Sequence, residues 1–351
     1  MKRNDLFIKS PIVLWNLTNE CNLNCSYCYQ DAGKCKGYEL SLDKKLSLVD
    51  EFSEAGVWAM SFGGGEPLLR KRELYNIAKY ASNKGISSYV MTNGTLLDKG
   101  TVRELKENGV ERVSISLDTA KKEIHDYYSG KKGSWKKALE GILNSKEGNL
   151  NIKISATITQ RNFSELENYF QLGKYLGVDE IDFTAVLPMG RGRNIADECL
   201  NPEQMKSALR LAAKYSLNGS NVVMSTNPEF VPYLRDCLEE KEKSKPPNYS
   251  NLDCGIGCMA GVGWCAIQPD GLVTPCVLMP DLVVGDVKKE SFSEIWTNSP
   301  LFNKLRDRDN LKGNCGGCKN KSSCGGCRAR AYALTNDPLE GDYSCEVYNS
   351  E

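Results

Sequence analysis

The sequence predicts an α/β fold of parallel strands alternating with helices, followed by a smaller cysteine-rich region. Three observations support this prediction. A unit of amphipathic helix, glycine and short apolar strand recurs between about residues 10 and 190. Hydrophobic residues make up 40% of the 351-residue chain, which is enough for one large core and a second, smaller one. Nine of the 15 cysteines lie between Cys254 and Cys345.

The first complete unit shows the pattern clearly. Leu46, Val49, Phe52 and Ala55 are spaced so that they share one face of a helix. Gly56 follows where a helix C-cap is expected, and the apolar run VWAMSF then predicts a strand.

The unit returns around four more glycines, at Gly85, Gly109, Gly148 and Gly177. With the opening run PIVLWNLT, these units give six predicted strands. Strands separated by helices are typical of parallel sheets joined by right-handed crossovers. Six such units can form an open partial barrel or a doubly wound sheet, and the spacing alone leaves both possible.

The repeat predicts a first domain over residues 1–190. Residues 191–253 are interpreted as a helical bridge and linker, with a helix near 201–216, a short strand NVVMS and the polar run KEKSKPPNYSNLD. Residues 254–351 are rich in cysteine and glycine and show little helical periodicity. Because such a segment is short of apolar side chains, we expect bound metal to stabilise it.

Charge and hydropathy argue against several classes of protein. Lys plus Arg and Asp plus Glu each number 45, so no basic excess indicates a nucleic-acid partner. We expect no membrane association either, since no stretch reaches the roughly 18 apolar residues of a span and no signal sequence is recognised. We therefore expect a cytoplasmic protein, in which thiols stay reduced. The chain has 15 cysteines and one histidine, so its metal ligands would be mainly thiolates, which favour zinc or iron–sulfur sites.

The first cysteine motif is CNLNCSYCY, with Cys21, Cys25 and Cys28 directly after the first predicted strand. Three thiolates in a short loop can bind three irons of a cubane cluster and leave the fourth iron open. Zinc or free thiols are the alternative, but three cysteines leave a zinc site one ligand short. The spacing, together with Tyr27 just before the last cysteine, resembles the signature of the radical S-adenosylmethionine (SAM) superfamily.

The resemblance implies a fold and an activity. The fold would be a partial (β/α)6 TIM-like barrel. The activity would be that of a radical SAM oxidoreductase, in which a [4Fe-4S] cluster on Cys21, Cys25 and Cys28 binds SAM and cleaves it reductively. The resulting 5′-deoxyadenosyl radical would take a hydrogen atom from substrate, and a one-electron donor such as ferredoxin or flavodoxin would reduce the cluster.

The resemblance also implies contacts to SAM at the ends of later strands. SFGGGEPLL follows the second strand, so its glycines would hold the methionyl end and its glutamate would accept from the ammonium group. The remaining candidates would contact the ribose, carboxylate or adenine. The full set of expected cofactor contacts is Tyr27, Gly64, Gly65, Glu66, Asn93, Ser116, Asp118 and Thr157. Taken singly, such residues are also common in turns and N-caps.

One stretch departs from the family pattern. Related sequences often read HDxxRG after the fourth strand, with an arginine that pairs with a SAM carboxylate, whereas this chain has Ser129 at that position. Lys131, Lys132 or another cation would have to replace that arginine. His125 is interpreted as a surface or capping residue.

The second cysteine motif fits the SPASM subgroup of the superfamily, which binds auxiliary clusters. The resemblance implies two auxiliary [4Fe-4S] clusters, with a single cluster as the alternative. One set would be Cys254, Cys258, Cys276 and Cys327. The other set would be Cys315, Cys318, Cys324 and Cys345. Cys265 competes with Cys254 as a ligand, the CxxC spacing leaves exchange between Cys324 and Cys327 open, and structural zinc is the rival interpretation.

The substrate is the least determined part of the function. GRG after the sixth strand and CGGCRARAYALTND resemble enzymes of haem and haem-like cofactor synthesis, which implies a tetrapyrrole carboxylate side chain as substrate. Arg191 and Arg193 could bind such a carboxylate, or simply belong to a solvated loop. The alternatives are modification or crosslinking of a ribosomally made peptide and, in another class, a non-catalytic iron–sulfur or zinc scaffold.

Overall fold

The structure is a computed structural model, and it describes residues 8–33, 37–223, 227–239, 257–342 and 345. Its centre is one ten-stranded sheet with the order β10-β9-β8-β1-β2-β3-β4-β5-β6-β7. The strands are β1 Ile12–Thr18, β2 Ala59–Gly64, β3 Ser87–Thr92, β4 Val110–Ser116, β5 Asn151–Ile158, β6 Glu180–Ala185, β7 Val222–Val223, β8 Trp264–Ile267, β9 Leu272–Thr274 and β10 Gly285–Asp286.

The first six strands are all parallel to their neighbours and follow one another in chain order. A doubly wound sheet would reverse direction at its first strand, so the sequential order decides for the partial barrel. Six parallel strands and a cysteine-rich C-terminal region therefore confirm the predicted fold class.

Helices cover one face of this sheet. Ser41 and Asp98 cap two of them by accepting hydrogen bonds from the backbone amides of Lys44 and Thr101. The helices are α1 Leu42–Glu54, α2 Lys71–Asn83, α3 Lys99–Glu107, α4 Lys122–Ser129, α5 Ser134–Glu147, α6 Leu166–Leu176, α7 Pro202–Leu217, α8 Phe230–Glu239, α9 Phe292–Asn298, α10 Pro300–Arg306, α11 Gly313–Gly317 and α12 Arg328–Thr335. No helix in these described ranges is both long enough and apolar enough to span a membrane.

The alternation of side chains along each strand separates a core face from an inner face. Trp15, Phe62, Ile115, Ile154 and Phe183 are fully buried against the helices. Their neighbours point to the other face of the sheet, and many are hydroxyl-bearing. The inner-face hydroxyl residues that stay partly exposed are Ser114, Ser116, Ser155, Thr157 and Thr184. The barrel thus has a dry outer core and a polar interior.

The cysteine-rich region is built onto the same sheet. β8 pairs parallel with β1, in a register that sets Ile12 opposite Trp264, and the antiparallel strands β9 and β10 extend the sheet beyond it. The ends of β1 and the residues around β8 therefore lie side by side. The first cysteine motif, which follows β1, and the cysteine-rich region around β8 therefore lie on neighbouring strands of one sheet.

Candidate active site and metal centres

The first three cysteines lie in a closed loop, residues 19–33, which we call the cysteine loop. The Cys21 amide donates to the Gly33 carbonyl at 2.8 Å, and the Gly33 amide donates to the Asn19 carbonyl at 2.9 Å. A tight turn joins the other two cysteines, since the Cys28 amide donates to the Cys25 carbonyl at 3.2 Å. The structure therefore brings Cys21, Cys25 and Cys28 together at the carboxyl end of β1.

Arg191 anchors this loop from the segment after β6. Its Nε donates to the Cys25 carbonyl at 2.8 Å, and its Nη1 donates to the Ala32 carbonyl at 2.6 Å and to Asp31 Oδ1 at 2.9 Å. The Arg191 amide also donates to the Cys28 carbonyl at 2.9 Å. The side chain that the sequence offered as a substrate contact is thus occupied by the backbone of the cysteine loop. Arg193, in contrast, is largely exposed, with Asp281 at 3.7 Å.

Tyr27 and Asp118, two of the expected cofactor contacts, bind each other. The Tyr27 hydroxyl donates to Asp118 Oδ2 at 2.7 Å, and the Thr157 amide donates to Asp118 Oδ1 at 3.0 Å. Burial, with the negative charge of Asp118 next, raises the pKa of Tyr27 well above its ordinary value. Asp118 is therefore a buried carboxylate that ties the cysteine loop to the ends of β4 and β5.

His125 also reaches this carboxylate. It is 2% exposed, with Nδ1 at 3.1 Å from Asp118 Oδ2 and 3.3 Å from the Asp118 amide nitrogen. Of the two expectations for His125, a surface or a capping residue, the surface position is therefore wrong. The helix that carries it packs inward, so the imidazole supports Asp118.

The glycine loop after β2 is shaped by contact with the cysteine loop. The Gly65 amide donates to the Thr18 carbonyl, and the Glu66 amide donates to the Glu20 carbonyl, both at 2.7 Å. A Cβ at Gly64 would lie 2.4 Å from the Thr18 carbonyl oxygen, and one at Gly65 would lie 2.0 Å from that of Glu20. Both positions need glycine because two backbones meet there.

Glu66 is a fully buried carboxylate between the ends of β2 and β3. Its Oε1 accepts from the Leu68 amide at 3.1 Å and from Thr92 Oγ1 at 2.7 Å, and its Oε2 accepts from the Asn93 amide at 2.8 Å. Burial outweighs these hydrogen bonds and raises the pKa of Glu66 to about 7. The buried side chain thus holds the Asn93 backbone at the end of β3.

Asn93 extends the network back to the cysteine loop. Its Nδ2 donates to Asn22 Oδ1 at 2.8 Å, and Asn22 Nδ2 in turn donates to Thr95 Oγ1 at 2.8 Å. Asn22 and Thr95 were not among the predicted site residues, although the polar letters inside CNLNC were the signal available. Ser116 is the last residue of β4, on the polar inner face, and is partly exposed.

Two thiols of the cysteine loop, Cys21 and Cys25, lie near buried carboxylates. Burial is the main cause that raises the pKa of Cys21 and of Cys25, and Glu66 and Asp118 respectively add to it. Neutral thiols must lose their protons to bind iron, so metal supplies the positive charge that this loop lacks. Three convergent thiols suit a cubane cluster with one open iron.

A cavity of about 350 Å³ opens beside this loop. Cys21, Asn22, Gly33, Gly130 and Lys131 are among the residues that line it. Lys131 therefore lines the same cavity as the first cysteine, whereas Ser129 is buried and its hydroxyl lies 2.6 Å from that of Ser134. Ser129 is part of the turn between α4 and α5, where it has no room to act as a ligand.

The C-terminal cysteines form two groups. Cys276 and Cys327 are buried in one apolar cluster, and Cys258 packs against it. Burial, to which the Cys258 thiol adds, raises the pKa of Cys276 to about 12. Burial likewise raises the pKa of Cys327, with Cys258 among the contributing thiols. The first group is therefore Cys258, Cys276 and Cys327, while its expected fourth member, Cys254, lies outside the described residues.

Cys265 points elsewhere. It belongs to β8 and is fully buried in the large core with Trp296 and Phe302, on the helix-covered face of the sheet. Its pKa is raised to about 12 by burial, and no cysteine contributes to that change. The competing ligand of the sequence analysis is thus a core residue.

The second group surrounds Cys324. Burial raises the pKa of Cys324 well above its ordinary value, and the thiols of Cys345 and Cys315 contribute after Glu229. Cys318 joins this group through a turn, since its amide donates to the Cys315 carbonyl at 3.4 Å. In the part of the chain that the structure describes, no three Cys, His, Asp or Glu side chains converge closely enough to hold a single metal ion.

Comparison with protein families gives two matches. Residues 15–173 match the model described as the radical SAM superfamily. Residues 258–327 match the model described as an iron–sulfur cluster-binding domain, SPASM. The first match contains the cysteine loop and the second contains the C-terminal cysteines from Cys258 to Cys327.

Two curated proteins are similar over almost their whole lengths. The chain is 33% identical to an "AdoMet-dependent heme synthase" of Methanosarcina barkeri, over 95% of each chain. It is 31% identical to the "Mycofactocin maturase MftC" of Mycobacterium tuberculosis, over 98% of this chain and 85% of the relative. Among solved structures, that of Streptococcus suis SuiB bound to the precursor peptide SuiA superposes with a TM-score of 0.75 at 17% identity, covering 96% of this chain and 76% of SuiB.

Proposed function

Because the chain belongs to the radical SAM superfamily and carries its SPASM domain, we propose that it abstracts hydrogen from a tetrapyrrole carboxylate side chain. The chain is a radical SAM enzyme, with the [4Fe-4S] cluster and SAM of that superfamily, and SPASM domains bind auxiliary iron–sulfur clusters. When bound, the cluster and SAM supply a 5′-deoxyadenosyl radical on reduction by a one-electron donor, such as ferredoxin or flavodoxin.

One observation carries the assignment of the first site. Cys21, Cys25 and Cys28 converge in one closed loop, and Arg191 fixes that loop through its carbonyl oxygens. Three thiolates would hold three irons, and SAM would take the fourth. The backbone hydrogen bonds keep the thiols in position before metal arrives.

The surrounding residues would bind and orient SAM. Gly64 and Gly65 allow the strand-two loop to lie against the cysteine loop. Glu66 is buried at the same edge, and its carboxylate would accept from the SAM ammonium. Asn93 is held by Glu66 and Asn22 at the next strand end. Ser116 and Thr157 present hydroxyls on the inner face, where the adenosine would lie.

Tyr27 and Asp118 would act through each other. Their hydrogen bond of 2.7 Å leaves Asp118 buried and tied to the Thr157 amide. In this arrangement both residues orient the cysteine loop relative to β5, and the Thr157 hydroxyl makes the direct contact with cofactor.

We infer two auxiliary clusters from the two cysteine groups. The first would use Cys258, Cys276 and Cys327 with Cys254, because Cys265 is buried in the other core. The second would use Cys315, Cys318, Cys324 and Cys345. The division assigns the two cysteines of CGGC to different clusters. Iron and sulfide analysis of Cys318→Ala distinguishes this arrangement from structural zinc.

Cations near the first site support a substrate that carries carboxylates. Lys131 lines the cavity beside Cys21, and in the described residues no carboxylate lies within ion-pair distance of it. Arg193 is mostly exposed near the same loop. The similarity to a haem synthase over 95% of each chain agrees with a tetrapyrrole substrate.

A peptide substrate is the second candidate. The similarity to a mycofactocin maturase over 98% of this chain favours it, and the barrel superposes on a peptide-bound relative. A peptide would use the same first cluster and the same polar inner face. The two candidates therefore differ only in what enters the barrel.

The test is an anaerobic assay of SAM cleavage. Reconstituted protein is reduced with dithionite, and 5′-deoxyadenosine is measured by mass spectrometry, with a carboxylate-bearing tetrapyrrole or a candidate peptide added. Cys25→Ala is the inactive variant, and Cys199→Ala is the matched control, because the Cys199 thiol donates to the Val186 carbonyl and belongs to none of the cysteine groups. Product that rises with the tetrapyrrole supports the proposal. Absence of product above the Cys25→Ala background would overturn it, and stimulation by peptide alone would replace the substrate.

A further inference from the structure

Three arginines are buried around the C-terminal cysteines. Arg308, Arg328 and Arg330 are 7%, 0% and 5% exposed. Arginine is seldom fully buried unless its charge has a partner. The three guanidinium groups therefore need anions close by.

Arg330 has carboxylate partners. Its Nη2 lies 2.8 Å from Glu229 Oε1 and 2.7 Å from Asp342 Oδ2. Asp342 also accepts from the Cys327 amide at 2.9 Å. The charge of Arg330 is thus balanced within the protein itself.

Arg328 is different. Its guanidinium donates to the carbonyl oxygens of Gly326, Pro338 and Glu340 at 3.2, 3.1 and 2.8 Å. Its remaining contact is Nη2 to Cys315 Sγ at 3.2 Å. Across the described ranges no carboxylate lies within ion-pair distance of Arg328, and Asp337 acts on it only from farther away. The Cys315 sulfur is therefore the group in direct contact that can carry a balancing charge.

The two glycines of CGGC create the space for this contact. A Cβ at Gly326 would lie 2.5 Å from both Arg328 Nη2 and Cys315 Sγ. A Cβ at Gly325 would lie 2.6 Å from Arg308 Nη1. Both glycines have positive φ, which a side chain rarely adopts. The sequence at this turn therefore admits guanidinium groups next to sulfur.

We propose that Arg328 is a positioning residue for the second auxiliary cluster, donating a charged hydrogen bond to the Cys315 sulfur that favours the reduced cluster. This inference rests on the proposed function, in which Cys315 ligates iron. Hydrogen bonds to cluster sulfurs raise the reduction potential, because each added electron increases the negative charge on sulfur. The Asp342 amide, 3.3 Å from the same sulfur, adds a second, neutral donor. A cluster held this way is suited to accept an electron from substrate.

The test is a redox titration followed by electron paramagnetic resonance. The background is the full chain with Cys21, Cys25 and Cys28 replaced by Ala, so that only auxiliary clusters give signals. In that background, Arg328→Gln should lower the potential of one cluster, corresponding to a roughly tenfold loss in its reduction equilibrium, or about 59 mV for one electron. Arg328→Lys keeps the charge and should recover part of the change.

The matched control is Arg306→Gln. Arg306 belongs to the same region and also donates to carbonyl oxygens, those of Gly261 and Trp296, but to no sulfur. The reduction potentials of the auxiliary clusters in Arg306→Gln should equal those of the background protein. A measurement on unsubstituted Arg328 keeps the inference testable if its variants do not fold. With the guanidinium nitrogens of arginine labelled with ¹⁵N, electron–nuclear double resonance should detect a ¹⁵N coupling to one auxiliary cluster, which the backbone amides on the same sulfurs cannot give.

Two outcomes would overturn the inference in distinguishable ways. If Arg328→Gln retains iron and both potentials stay unchanged, the hydrogen bond has no effect on the cluster, while the proposed function stands. If Cys315→Ala loses no iron, the ligand set of the proposed function is wrong and the inference fails with it.

Discussion

The two cysteine regions differ in how their buried charges are balanced. Around the cysteine loop, Glu66 and Asp118 are buried carboxylates, and the arginine nearest the thiols, Arg191, donates to carbonyl oxygens and a surface aspartate. In the C-terminal region, the buried carboxylates Glu229 and Asp342 are paired with Arg330, and the buried Arg328 donates directly to a sulfur. Negative surroundings disfavour adding an electron to a cluster, whereas positive surroundings favour it.

The difference teaches how one chain can assign two roles to one type of cofactor. A first cluster that is hard to reduce is a strong donor once it is reduced, which suits electron transfer to SAM. An auxiliary cluster that is easier to reduce suits an acceptor. The direction of electron flow would then follow from which side chains are buried near each set of thiols.

The largest expected effect separates the two regions by their chemistry. Cys25→Ala should reduce 5′-deoxyadenosine formation to background, because the loop loses one of three ligands. Cys276→Ala and Cys318→Ala should lower the iron content, yet still cleave SAM without coupling to substrate. Iron analysis and mass spectrometry of the same samples measure both quantities. Loss of all cleavage in both C-terminal variants would contradict this division of roles.

The next effect concerns the buried carboxylate at the first site. The pKa of Glu66 is raised by burial to about 7, from an ordinary value of 4.5. The folded state therefore favours the protonated form of Glu66. This contribution to the unfolding free energy is complete below pH 4.5 and is lost as the pH rises toward 7. The loss amounts to about 3 kcal/mol at most, and Glu66→Gln should remove it.

The measurement is the anaerobic unfolding free energy of wild type and Glu66→Gln between pH 5 and 8. The difference, wild type minus variant, should decrease with rising pH and level off above about 7. Glu140→Gln is the control, since Lys137 lowers the pKa of the exposed Glu140. A difference for Glu66→Gln that increases with pH would show that its hydrogen bonds outweigh its burial.

A third effect tests whether Arg191 anchors the cysteine loop. Arg191→Gln removes donors to the Cys25 and Ala32 carbonyls, so the unfolding free energy should fall by about 2 kcal/mol. The first cluster should also release iron faster than in wild type, as followed by its visible absorbance in chelator. The control is Arg193→Gln, two residues away and largely exposed, which should match wild type. Faster iron release in Arg193→Gln than in Arg191→Gln would contradict the anchoring role.

The barrel could be predicted from the sequence because its signals are local. Each of the strands β1–β6 is an apolar run, and each of β2–β6 comes after a helix. Gly56 has the positive φ expected after a helix. One detail was misplaced: after α5 the positive φ falls on Asn149, not on Gly148. An asparagine tolerates that conformation, so the pattern shifted by one residue without changing the fold.

The contacts between distant segments could not be predicted. β8 is only the four residues WCAI, and its pairing with β1 joins positions about 250 residues apart, which no local pattern encodes. The same holds for Arg191, because most of its partners are backbone carbonyl oxygens about 160 residues away, which carry no sequence signal. The spacing of the cysteines indicated the two C-terminal sets. That Cys265 belongs to neither set could be seen only from the structure, where it lies on the core face of β8.

The smallest expected effect concerns Lys131, which we propose takes the place of the family arginine. Lys131 lines the cavity beside Cys21, and it is exposed, so water screens much of its charge. Lys131→Gln should therefore weaken SAM binding only by roughly three- to tenfold, measured by isothermal titration calorimetry on the reconstituted protein. Lys132→Gln is the matched control, because Lys132 does not line that cavity, and it should bind as wild type does. Equal weakening in both variants would mean that the SAM carboxylate is attracted by the summed charge of the loop and not by the Lys131 ammonium group. The first site would then lack the direct contact of one cation that Arg328 makes in the C-terminal region.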